Sequence, residues 1–360
     1  MSSSNNLSSI IIGSGSYIPE NVVSGEAFLN HTFFDGGIVL DKSNEEIIQK
    51  FSEITEIDER RYACDNLVNS DMATIAAQAA IDDAGIDKES IDQIIFAHNF
   101  GDTKKNFNRI DTVPSLAAKV KEKLNIVNPD CVAYDLLFGC PGWVQAAINA
   151  NYILKSGEAS RILVIGSETL SRNIDPHDRD SMIFADGSGA ILFEAQRTSE
   201  PSGIIAQKSQ TYAVNYANLL SMGFSSNPED KSGNTYLKMN GRKLYEFAVI
   251  QVPQVVKMAI DKAGICPEDV KMVFIHQANG KMDHAIMKRL FKLYGKDTMP
   301  EGIVPMTIQW LGNSSVATIP TLIDLVRKGK IENYKLNPGD YTVFASVGAG
   351  MHINAVVYKF

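Results

Sequence analysis

The hydrophobic and polar pattern of this chain nearly repeats itself at half its length. From Ala80, AIDDAGIDKESIDQIIFAHN reads as a helix end, a stop at Gly85, an acidic helical turn and a short apolar run. From Ala259, AIDKAGICPEDVKMVFIHQAN repeats that order with its stop at Gly264, an offset of 259−80 = 179 residues. RILVIGSE from Arg161 is matched by YTVFASVG from Tyr341, at 341−161 = 180. Between these pairs, CVAYDLLFGC (131–140) has its counterpart in the stretch ending WLGNSS (310–315). The runs are apolar without alternation, the pattern of strands buried on both faces. Three matched elements at nearly one offset predict a duplicated β–α–β unit, an α/β body with helices sandwiched between two sheets. No Pro-, Ser- or Gly-rich linker divides it. The least regular regions, 21–70, 98–115 and 195–240, are candidate lids and substrate-facing loops. GSGS at 13–16 and DGSG at 186–189 match neither GxGxxG nor GxxxxGK[ST] and are expected as tight turns at strand ends.

Composition narrows the function. At 360 residues the chain is long enough for two domains or one duplicated unit. A net charge of −8 disfavours nucleic acid as a partner, because phosphates need surplus Lys and Arg. Met1–Ser9 is polar without a basic or long apolar segment, and no stretch reaches the ~18 apolar residues of a membrane span. A cytoplasmic protein with no membrane association is expected. Its cysteines, at 64, 131, 140 and 266, are then expected as reduced thiols, and they lack the CxxC pairing of a zinc site. No metal is expected.

Cys140 is the candidate with chemistry. An apolar strand ends at Phe138, Gly139 permits a tight turn, Pro141 suits the first helical position, and a helix follows to about Gly157. A thiol there faces the free N–H groups and positive dipole end of a helix, which favour a thiolate. The plain alternative is a small thiol filling a strand–helix corner. Cys64, Cys131 and Cys266 lack this context. His276 closes the strand KMVFIHQAN and can supply a hydrogen bond or take a proton; a capped core histidine is the alternative. Asn313 by itself reads as a helix cap or turn residue. The duplication places it where Cys140 stands in the other half, so both point toward the pseudo-twofold centre. His98, His177, His284 and His352 are read as structural.

These motifs carry a resemblance. IIGSGSYIPENVV, the Cys helix, SETLSRNIDPHDRD, FADGSGAILFEA, FIHQAN, LGNSSVATIP and VGAGMHINAVVYKF, in that order, resemble the thiolase-fold condensing enzymes, most closely β-ketoacyl-acyl-carrier-protein synthase III. The resemblance implies a thiolase-like duplicated five-layer α/β/α/β/α architecture, with residues 1–195 carrying the nucleophile and 196–360 carrying His and Asn. It implies an acyltransferase that joins an acyl thioester primer to malonyl-acyl-carrier protein by decarboxylative Claisen condensation. Cys140, His276 and Asn313 are the implied catalytic triad, with the backbone N–H groups of Cys140 and Ala349 as the oxyanion hole. Arg172, Val347 and Gly348 are implied at the substrate, and Lys281, Lys288 and Arg289 at a carrier-protein docking face. A homodimer is implied, with acyl-coenzyme A or acyl-carrier protein as substrates and no cofactor. The pattern departs from the family in FGCPG around the cysteine, in SVGAG (Val347 for a phenylalanine, Ala349 for a glycine) and in Glu46 where an adenine-stacking tryptophan is usual. The 98–115 loop is also long. These departures raise an alternative, a specialised ketosynthase joining longer acyl or β-ketoacyl chains into resorcinol- or pyrone-type products. A thiolase would need a second cysteine near the C-terminus, a hydrolase would release acyl-Cys140 to water, and a non-catalytic subunit would be expected to lose Cys140.

Overall fold

The computed structural model describes residues 6–107 and 109–360. Its first half contains β1 (Asn6–Tyr17), α1 (Asn69–Ala84), β2 (Gln93–Ala97), β3 (Val132–Leu136), α2 (Gly142–Ser156), β4 (Arg161–Thr169) and β5 (Asp186–Thr198). The second contains β6 (Gly203–Thr211), α3 (Gly241–Ala263), β7 (Val270–Ile275), α4 (Gly280–Leu293), α5 (Thr318–Arg327), β8 (Tyr341–Gly348) and β9 (His352–Lys359). The strand orders are β1-β5-β4-β2-β3 and β6-β9-β8-β7. In both sheets the long β5 or β9 is antiparallel to its neighbours, and the β4–β2 or β8–β7 pair is parallel. Among the described residues the second sheet has no counterpart of β3. There Val273 N donates to Ile303 O at 2.8 Å, and Pro305, with no N–H to give, follows two residues later.

Period-two alternation builds the layers. On β4, Ile162 and Val164 face inward while Leu163 and Ile165 face the outer helix α1. On β7, Met272 and Phe274 face inward while Val273 and Ile275 meet α3 and α4. The two inward faces close on α2 and α5, and α5 is buried from Thr318 to Val326. Helices, sheet, central helices, sheet and helices thus stack as five layers, the α/β architecture the sequence implied. Trp143 sits in the middle layer, 1% exposed, with its indole N–H donating to Val164 O at 3.2 Å. Cutting such a side chain to alanine costs about 3–5 kcal/mol.

Two expectations are corrected. GSGS and DGSG are not turns: both lie within paired strands, which bring Gly15 opposite Ala190 and Ser16 opposite Gly189. Their glycines let helices lie against the sheet. A Cβ on Gly15 would come within 2.2 Å of Ala76 O on α1, and one on Gly189 within 2.7 Å of Thr321 N on α5. Region 21–70, expected as irregular, contains a helix at Asn44–Thr55, started by a capping box in which Ser43 and Glu46 each bond the other's backbone N–H. Among the described residues, no helix is long and apolar enough to cross a membrane.

Candidate active site

After β3 the chain turns through Gly139, whose φ of +65° favours glycine. A Cβ there would stand 2.8 Å from both N and O of Ala349, and a Cβ on Gly348 would stand 2.5 Å from Cys140 N. Each glycine admits the other segment's backbone, so the Cys140 turn and the C-terminal VGAG turn are pressed together. Pro141 (φ −70°, ψ 0°) is the residue before the helix rather than its first, and α2 ends at Gly157 with φ +83°. Cys140 is partly buried; all four cysteines are free thiols.

The matching turn of the second half has the same beginning. Gly312, at φ +69°, precedes Asn313, and a Cβ on it would meet Arg60 Cβ at 2.7 Å. Asn313 is buried, and its Oδ1 accepts from Ser315 N at 2.8 Å. An oxygen must stand there, because an NH2 group cannot accept, so Nδ2 is the outward donor. It has no hydrogen bond among the described residues. Backbone bonds on both sides, Asn313 N to Ile183 O at 3.0 Å and Ala185 N to Asn313 O at 2.8 Å, hold the residue in place.

His276 follows β7, and its N–H donates to Ala345 O on β8 at 2.8 Å. The next side chain anchors this end: Gln277 Nε2 donates to Pro305 O at 2.7 Å, and its Oε1 accepts from Thr307 N at 2.9 Å. The imidazole is 3% exposed. Burial lowers its pKa to about 4, only partly offset by the Ser315 backbone, so the ring is neutral at physiological pH.

Ser315 joins the three. Its N–H holds Asn313 Oδ1, its side chain draws the Cys140 thiol down and its backbone draws the His276 imidazole up, each against the larger effect of burial. At φ +53° it occupies a backbone region that non-glycine residues rarely visit, and such residues cluster at functional sites. Behind it, Asn99 Nδ2 donates to Ser315 Oγ at 3.0 Å and to Glu168 Oε1 at 2.7 Å. Glu168 is fully buried, its Oε2 has no partner among the described residues, and burial raises its carboxyl to about 8. Burial pushes the Cys140 thiol up to about 11, with Ser315 and the residue's own N–H acting the other way and Glu168 adding to the rise. The activated thiolate expected from the helix terminus is therefore opposed by desolvation. Sequence reasoning missed Ser315, Asn99 and Glu168. An acid closing the buried run RILVIGSE was the available signal.

The other expected residues fall in distinct places. Gly348 and Ala349 lie against the Cys140 turn; Val347, 7% exposed, belongs to the second-half core. Arg172 is tied by its edge to Thr103 O at 2.6 Å and Cys64 O at 2.9 Å. Phe138 stacks on His352, centroids 4.0 Å apart. Lys281, Lys288, Arg289 and Lys292 are all exposed on α4, without ion pairs among the described residues.

Known proteins share this fold. Residues 134–213 match the family model of 3-oxoacyl-[acyl-carrier-protein (ACP)] synthase III, and residues 260–360 match that family's C-terminal model. The β-ketoacyl-[acyl-carrier-protein] synthase III 1 of Vibrio vulnificus is 34% identical over 97% of this chain and 99% of its own. The crystal structure of 3-oxoacyl-[acyl-carrier-protein] synthase III from Aquifex aeolicus superposes with a TM-score of 0.79 at 31% identity, covering 98% of this chain and 100% of that one. The priming β-ketosynthase of the R1128 polyketide biosynthetic pathway gives 0.80 at 26% identity, covering 99% and 97%. With the fold, both family models and identity above 30% along nearly its whole length in agreement, the chain belongs to the β-ketoacyl-acyl-carrier-protein synthase III family of condensing acyltransferases.

Proposed function

We propose that this enzyme loads an acyl thioester onto Cys140 and condenses it with malonyl-acyl-carrier protein, using His276 and Asn313 for the second step. The observation that carries the reading is the pair of matched turns, one presenting Cys140 with the Gly348–Ala349 backbone pressed against it, the other presenting Asn313 with its Oδ1 held by Ser315 N–H and its Nδ2 left as a donor. In the first step the Cys140 thiolate attacks the primer carbonyl. A C–S bond forms to the enzyme, the primer's own C–S bond breaks, and the departing thiolate takes up a proton. Backbone N–H groups of Cys140 and Ala349 supply the oxyanion donors. In the second step the malonyl C–C bond to its carboxylate breaks, and the electron pair moves into the thioester as an enolate. A neutral His276 and the free Asn313 Nδ2 hold that oxygen as its charge grows. The carbanion carbon then bonds the acyl carbonyl, and the C–S bond to Cys140 breaks to return the thiolate.

Two features support the partners. The exposed cations of α4 offer an acidic carrier protein a docking face close to His276. At the sheet edge, β3 is unpaired on one side, with Val132 56% and Leu137 65% exposed, and Phe107, Ile110 and Val113 are exposed on the neighbouring loop. A second copy of the chain would cover this edge, giving a homodimer whose long 98–115 loop reaches toward the partner's pocket.

A second reading concerns the primer. Glu46 is committed to its helix cap and offers no aromatic face for an adenine ring. That favours a longer acyl or β-ketoacyl primer over acetyl-coenzyme A, as in a specialised ketosynthase. The test supplies acyl thioesters of graded length with malonyl-carrier protein and measures CO2 release and product mass. Turnover with longer chains is expected. Turnover with acetyl-coenzyme A alone reverses the primer reading, and free acid without condensation reverses the function.

A further inference from the structure

Two rings from opposite halves of the chain meet at the seam beside Cys140. Phe138 follows β3 and leads into the Gly139–Cys140 turn, whereas His352 opens β9 directly after the turn that contains Gly348 and Ala349. The rings lie face to face, with centroids 4.0 Å apart and planes 18° from parallel, and both residues are partly buried. His352 is held on its other sides as well. Its backbone pairs with Gly348 on β8 and with Thr211 on β6, and its Nδ1 lies 2.9 Å from Thr211 Oγ1. Gly350, at φ +77°, leaves the space that the imidazole fills, since a Cβ there would stand 2.5 Å from His352 Nε2. We infer that the Phe138–His352 stack clasps the two turns together and sets the spacing of the Cys140 and Ala349 N–H groups, making both rings positioning residues for the oxyanion hole.

The inference rests on the proposed acyl transfer at Cys140 and deepens it. Two backbone donors on separate segments serve one oxygen only while those segments keep their separation. The glycines of the turns permit a close approach without enforcing it. Gly139 and Gly350 both have positive φ, and glycine is the residue with the widest backbone freedom. A stacked ring pair has a preferred geometry and binds beyond the area it buries, so it supplies the restraint that glycine lacks. The strands carry that restraint into the site, because the residue stacked on Phe138 is also the register partner of Gly348. Burial holds the imidazole below its ordinary pKa of 6.5, so at neutral pH the ring is uncharged and its contribution is geometric.

The experiment compares two reactions of the same thiol in the full-length enzyme. Acyl loading from a thioester passes through an oxyanion; alkylation by iodoacetamide does not, because the thiolate there displaces iodide from a saturated carbon. Both are followed on the Cys140 peptide, since Cys64 and Cys266 are also exposed. His352→Ala is expected to lower the maximal loading rate at least about tenfold, short of the roughly 10²–10³-fold that losing an oxyanion donor costs. The half-saturating thioester concentration and the alkylation rate should stay near the parent's. Phe138→Ala should do the same, and the double variant should load no more slowly than the slower single one, because the stack is already gone. An unchanged loading rate in His352→Ala overturns the inference. So does a parallel fall in alkylation, which would mean that the rings shape the thiol rather than the oxyanion hole. Should His352→Ala not fold, Phe138→Ala, on the other face of the stack, decides. The parent separates the two failures: one that takes no acyl group overturns the proposed function and this inference with it, whereas a loading parent with unaffected variants overturns this inference alone.

Discussion

The two halves of this molecule present the same turn with different chemistry. In each, a left-handed glycine, Gly139 or Gly312, delivers the next residue to the mouth of a buried central helix. The first half places a thiol there, desolvated and beside a buried acid; the second places an amide whose oxygen is already used and whose nitrogen is free. The second half also supplies a neutral imidazole and the basic helix α4. On the proposed mechanism, duplication with divergence separates the labour: one half carries the covalent bond, and the other stabilises charge and meets the carrier protein. A thiol in a close-packed corner is held in place although burial opposes its thiolate, whereas hydrogen-bond donors must be neutral, fixed and left without partners.

That division breaks most sharply at Cys140. Cys140→Ala is expected to abolish acyl loading, a loss of at least about 10⁴-fold, with the fold intact. Intact-mass analysis checks it, and acyl adduct on the variant sinks the assignment. Asn313→Ala should separate the halves: condensation falls about 10²–10³-fold while loading of Cys140 changes little, followed by CO2 release against adduct formation. Equal loss of both steps would mean that the two turns act as one unit. Smaller again is the docking face. Reversing Lys288 and Arg289 to Glu should raise KM for malonyl-carrier protein about tenfold and weaken its salt dependence, with loading from a small thioester unchanged. The smallest effect is in His276. Its ring should titrate near 4 by NMR rather than at the usual 6.5. The stability gained by burying it neutral is then fully present above 6.5 and lost as pH falls toward 4. His276→Gln should flatten that stretch of the melting temperature–pH curve, and an unchanged curve places the imidazole in water.

Much of this was written in the sequence by itself. Unbroken apolar runs at one repeated offset determine a duplicated α/β body, because strands buried on both faces admit no alternation. Gly-Cys-Pro before a helix and Gly-Asn-Ser-Ser in the matching place determine where candidate chemistry lies. The surroundings of that chemistry come from long-range packing. Gly13 and Gly15 read locally as a turn, yet they lie mid-strand because helix α1 presses against them from outside. The helix terminus before Cys140 argues for a thiolate, yet desolvation by both halves pushes the thiol the other way. Asn99, Glu168 and Ser315 are 69 and 147 residues apart in succession (168−99 and 315−168), and nothing in their local sequence links them. Long-range packing creates both their hydrogen bonds and the low-dielectric space that shifts their pKa values, because desolvation depends on every neighbour at once and local sequence on only a few.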